Sequence, residues 1–95
     1  MDVEFSGEVW SWRGPAPYHF VSVPEDDADT IALTASAVTY GWGMIPVSVG
    51  IGDTEWTTSL WPKDGGHVVP LKDAVRRAEG IALGAVVTVR LFIDV

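Results

Sequence analysis

The sequence predicts a mostly β fold, a small closed or nearly closed β-barrel of about six strands with two short helices. Three observations predict it. Apolar and polar residues alternate with period two in several short segments, the signature of half-buried strands. Short turns bearing glycine, proline and aspartate separate those segments. So many strands in 95 residues leave exposed edges unless the sheet closes on itself. No linker, repeat or low-complexity tract interrupts the chain, so residues 1–95 read as a single domain.

In the first segment Val3, Phe5, Gly7 and Val9 point one way, and Glu4, Ser6 and Glu8 the other. Trp10 and Trp12 continue the polar parity of Glu4 and Glu8. Arg13-Gly14-Pro15-Ala16-Pro17 breaks the strand, because proline has no N–H for a ladder. Tyr18–Val23 resumes as a second strand. After Pro24, the carboxylates of Glu25, Asp26, Asp27 and Asp29 suit the positive end of a helix dipole. Ala28, Ile31, Ala32 and Ala35 follow at helical spacing, which predicts one short amphipathic helix.

Met44–Ile51 and Thr54–Trp61 flank the two-residue turn Gly52-Asp53, a hairpin signal. That turn sets 51 opposite 54, 49 opposite 56, 47 opposite 58 and 45 opposite 60. One face then carries Ile45, Val47, Val49, Ile51, Trp56 and Leu60, and it reads as core. Trp61 falls on the other face, with Ser59 and Thr57. Asp64-Gly65-Gly66 is a second turn, followed by a strand over His67–Leu71. Lys72–Glu79 reads as a helix with Leu71, Ala74, Val75 and Ala78 inward and Asp73 and Arg77 four apart outside. Gly80 is placed to cap it in the left-handed conformation. A last strand after Gly84 alternates Val87, Val89, Leu91 and Ile93 with Thr88, Arg90 and Asp94.

Composition narrows the function classes. Hydrophobic residues are 47% of the chain and charged residues 20%, a globular balance with a high apolar load for so small a body. The surplus predicts that a second copy or another partner covers part of it, so a homodimer is one expectation. A net charge of −7 argues against nucleic acid and against an anionic membrane surface. The absence of cysteine removes disulfides, thiolate nucleophiles and zinc–thiolate sites. Met1-Asp2-Val3-Glu4-Phe5 has no basic or apolar leader character, and no apolar run approaches the roughly 20 residues of a bilayer span. The expected location is cytoplasmic.

Several stretches together resemble a known family. They are Trp10–Pro24 (WSWRGPAPYHFVSVP), Tyr40–Val47 (YGWGMIPV), Thr57–Gly66 (TTSLWPKDGG) and Val69–Ala78 (VPLKDAVRRA). In this order and nearly end to end, they resemble the bacterial domain-of-unknown-function family numbered 1905. The resemblance implies a small closed β-barrel of about this size and brings no established activity. Val69–Leu91 is also similar to the strand–helix–Gly–strand unit of swapped-hairpin transcription-factor barrels, an analogy of fold alone.

Catalytic signatures are missing. No serine sits in G-x-S-x-G. Gly41-Trp42-Gly43 and Gly50-Ile51-Gly52 do not complete a dinucleotide fingerprint, and no phosphate-cradling G-x-x-x-x-G-K-[ST] occurs. His19 and His67 lack metal-ligand spacing, so neither a metal nor a cofactor is expected. His19 shares the parity of Val21 and Val23 and reads first as a core or rim histidine. His67, after two glycines, reads as a surface residue at a strand start.

The tryptophans are the least ordinary feature. Trp10, Trp12 and Trp61 fall on polar faces, and Trp42 lies between two glycines. Arg13 and Lys63 adjoin Trp12 and Trp61 in sequence, which sets a cation beside aromatic surface. With His19, these residues form the candidate ligand-binding set. A structural role competes: a covering helix, or a bulge at Gly7, would bury the rings. The expected function is a non-catalytic module binding an apolar small molecule or a protein. The alternative is a small enzyme with isomerase- or cyclase-like acid–base chemistry at the barrel mouth, through His19, Glu55 or Lys63. A transcription-factor-like nucleic-acid binder ranks third, because of the acidity.

Overall fold

The structure, a computed structural model, describes residues 1–12 and 18–95. The alternating first segment forms β1 (Asp2–Ser11), and β2 (His19–Ser22) returns beside it. Helix α1 (Glu25–Thr34) follows Pro24. The hairpin comprises β3 (Ile45–Ile51) and β4 (Thr54–Lys63), and β5 (Gly66–Leu71) turns back along β4. Helix α2 (Asp73–Glu79) and β6 (Val86–Phe92) complete the chain. The six strands close into a barrel in the order β1-β2-β5-β4-β3-β6. The expected break at Arg13–Pro17 lies outside the described residues.

Closure depends on β1 and β4, each ten residues long. The first part of β1 pairs with β6, from Asp2↔Phe92 to Glu8↔Val86, and its last three residues pair with β2, from Val9↔Val21 to Ser11↔His19. In the same way β4 pairs with β3 from Thr54 to Leu60, then with β5 from Trp61 to Lys63. The two-residue turn produces the register expected from it: Ile51↔Thr54, Val49↔Trp56, Val47↔Thr58 and Ile45↔Leu60. Gly52 has φ 57°, which the tight turn requires and a side chain resists.

The barrel interior is apolar. Phe5, Val9, Val21, Ile45, Val49, Leu60, Val69, Leu71, Val89, Leu91 and Ile93 form one buried cluster. Helix α1 adds Ala28 and Ile31 to that cluster and its C-cap residue Ala35 joins them, while Ala32 faces solvent. Gly7 is a matter of space, since a Cβ there would stand 2.8 Å from Val21 Cγ1. The register of β1 runs through Gly7↔Val87 without an extra residue, so no bulge turns Trp10 or Trp12 inward.

Helix α2 departs from its expected stripe. Val75 is buried, but Ala74 and Ala78 are exposed, because a seven-residue helix meets the barrel along little more than one turn. Its ion pair also differs: Arg76, not Arg77, donates to Asp73. Gly80 ends the helix at φ 63°, and the Ile81 amide donates to the Arg76 carbonyl at 2.9 Å.

Candidate functional site

The short sheet made by the end of β1, β2, β5 and the end of β4 carries an aromatic layer on its outer wall. Parity puts Trp10, Phe20, Pro70 and Trp61 on that wall, because Val9, Val21, Val69 and Leu60 fill the interior. Phe20 is at the centre. Its ring lies 5.1 Å from Trp10, 5.2 Å from Trp61 and 6.3 Å from Tyr18, measured between centroids. Tyr18 and Trp61 meet edge to face at 5.6 Å. Phe20 and Val68 are thus 3% and 4% exposed although neither belongs to the barrel interior. The Trp10 indole N–H donates to Ser22 Oγ at 3.0 Å, which fixes the rim of the layer.

Lys63 extends the layer to Trp12. Its ammonium lies 4.8 Å from the Trp12 ring centroid and 5.8 Å from that of Trp10, and it also pairs with Asp64 at 3.1 Å. Cation–π attraction holds the half-exposed Trp12 ring near the sheet.

Beside this wall lies an open groove of about 640 Å³, bounded by Tyr18, Trp61 and Pro70 on the aromatic side. His19, Lys72, Asp73 and Arg76 bound the polar side. Pairing of His19 with Leu71 sets the start of β2 beside the end of β5, so the first turn of α2 stands over the groove. Arg76 Nη2 donates to Asp73 Oδ1 at 2.5 Å. That hydrogen bond, with the charge of Arg76, holds the Asp73 carboxyl below its ordinary range, and the Arg77 and His19 charges add to the effect. Arg76 Nε, by contrast, is buried with no acceptor among the described residues.

The structure gathers Trp10, Trp12, Trp61, Lys63 and His19 on this side of the barrel. Trp42 stands apart on the turn between Tyr40 and Met44, 92% exposed, where Gly43 abuts Pro62. Arg13 lies outside the described residues. His67 pairs with Pro62 at the opposite end of β5 and is half-buried rather than a plain surface residue. Desolvation lowers its pKa, and an interaction with the Gly43 backbone opposes the shift. Sequence reasoning missed Phe20, Tyr18, Lys72, Asp73 and Arg76. The parity that put His19 inward also put Phe20 outward, so that signal was present. Nothing local signalled that α2 would share a groove with the start of β2.

Among the described residues no three acidic or histidine side chains converge as a metal site would require, and no helix is long and apolar enough to cross a membrane. A family model described as Domain of unknown function (DUF1905) matches residues 5–91. No curated protein matches the chain in sequence.

Proposed function

The chain belongs to the DUF1905 family, which brings a fold and no activity, and from that premise we propose that it is a non-catalytic module binding a small apolar molecule. The ligand lies in the groove against Tyr18 and Trp61. The observation that carries this reading is a layer of aromatic rings on the outside of a barrel whose interior holds a separate buried apolar cluster. Ligand sites are typically concave and mostly apolar, with a few placed polar groups, and a groove of about 640 Å³ is of ligand size.

The enzyme reading finds less support. His19 and Asp73 line the same groove, but the Asp73 hydrogen bond goes to Arg76, so the carboxylate does not orient the imidazole as a general base needs. A nucleic-acid partner is disfavoured by a net charge of −7.

Titration of the protein with naphthalene derivatives, followed through its tryptophan indole N–H signals in nuclear magnetic resonance, tests the proposal. The Trp61 signal is expected to shift with saturation, and Trp61→Ala to weaken binding at least about fivefold, as losing a stacking ring should. Absence of saturable shifts would overturn it. Sedimentation of the same samples tests the competing occupant: concentration-dependent dimerisation abolished by Trp61→Ala would assign the surface to a second copy.

A further inference from the structure

We propose that the ligand is a planar aromatic carboxylate, its ring on Trp61 and its carboxylate held by Arg76 and Lys72. This rests on the reading of the groove as a binding site and specifies what it binds.

Charge distribution is the first warrant. Among the described residues the charged side chains lining the groove, besides His19, are the basic Lys72 and Arg76 and the acidic Asp73. The groove is therefore locally cationic in a protein of net charge −7. The acidic start of α1 lies at the other end of the β2–β5 pair, since α1 follows Ser22 and α2 follows Leu71. A concave site with this sign attracts anions against the charge of the whole molecule.

The seat of Arg76 is the second. Its guanidinium makes a hydrogen bond to Asp73, whose side chain is 72% exposed, while the buried Nε has no acceptor among the described residues. An exposed ion pair of this kind is weak. Swinging the fork toward the groove breaks no hydrogen bond of Nε among the described residues and exchanges one carboxylate for another. A planar guanidinium matches a carboxylate with two parallel N–H donors, which a ligand can meet and Asp73 does not fully use. Lys72 also lines the groove, its ammonium 3.4 Å from the Thr57 carbonyl and with no salt bridge among the described residues.

The aromatic part follows from the opposite bank. Tyr18 is 51% exposed and Trp61 half-exposed, both line the groove, and their rings meet edge to face. A flat ring lying on Trp61 places a substituent toward α2, where the cations are.

Asp73 makes the proposal signed, since it competes with the ligand for Arg76. The experiment compares 2-naphthoate with neutral 2-naphthamide by titration against the wild type, Arg76→Gln, Lys72→Gln and Asp73→Asn, with a thermal melt of each variant. The wild type is expected to prefer naphthoate by about two- to fivefold, in low salt, as a partly exposed ion pair allows. Arg76→Gln should weaken naphthoate more than naphthamide and so reduce the preference, Lys72→Gln should also reduce it, the double variant should erase it, and Asp73→Asn should increase it. Equal binding of the two compounds by the wild type, or a preference undiminished by Arg76→Gln, overturns the carboxylate inference and leaves the binding-module reading standing. If neither compound binds, both fall.

Discussion

Phe20 on β2 and Trp61 on β4 meet across the intervening strand β5, their ring centroids 5.2 Å apart at 61°. The contact runs over Val68 and Pro70, whose small side chains leave the large rings room to approach. A second apolar cluster therefore sits on the outside of the barrel, with Phe20 as its centre and Trp10, Tyr18 and Trp61 around it.

Phe20→Ala should destabilise the protein by about 3 kcal/mol, as large-to-small changes at buried sites do, although Phe20 points away from the barrel interior. Trp61→Ala should cost about 1–2 kcal/mol, because its ring is only partly covered. Urea unfolding of the two variants measures both. A cost below about 1 kcal/mol for Phe20→Ala would mean that the outer cluster contributes little to folding.

The Trp56 indole separates apolar burial from polar cost. Its ring packs against the barrel core while Nε1 is buried with no acceptor among the described residues. An unpaired buried donor costs about 1–3 kcal/mol. Trp56→Phe should therefore cost less than about 1 kcal/mol, the lost area being offset by the removed donor, while Trp56→Ala costs about 3 kcal/mol. Equal losses for the two variants would contradict this.

Two glycines should resist alanine for different reasons. At Gly7 the new methyl would stand 2.8 Å from Val21 Cγ1 in a filled interior, an overpacking cost of about 1–3 kcal/mol. At Gly52 the backbone has φ 57° and the Glu79 carboxylate, which accepts from Thr54 Oγ1, occupies the space. Thermal melts of Gly7→Ala and Gly52→Ala should both fall below wild type. An unchanged Gly52→Ala melt would show that the turn relaxes freely.

Protonation of His67 should weaken the fold. Burial holds its folded pKa below the ordinary 6.5, so the neutral ring is favoured in the native state. The unfolded chain binds the proton more readily, so this contribution is present above the unfolded pKa. It is lost as pH falls through the folded value. Stability measured by urea unfolding should decline from pH 7.5 to pH 5.5 more steeply in wild type than in His67→Gln. Parallel declines would remove His67 as a contributor.

Much of the fold was legible in the chain because its signals are local. Period-two alternation named the inward residues of β1, β3 and β6, and Gly52-Asp53 set the hairpin register through Ile45↔Leu60. Gly80 marked the end of α2 because a left-handed residue is needed there. Parity also put Trp10, Trp12 and Trp61 outside the core, and the structure has them there. Parity assigns a face, however, and says nothing about which strand lies alongside. Only tertiary closure decided that β1 and β4 each pass from one neighbour to another, which brings Trp10, Phe20 and Trp61 onto one wall. The same closure pairs His19 with Leu71 and so sets α2 beside the aromatic layer. Arg76, rather than Arg77, faces the groove because burial of Val75 against the barrel fixes the rotation of the helix. These placements arise from packing between segments distant in sequence, and the spacing of residues within any one segment does not encode them.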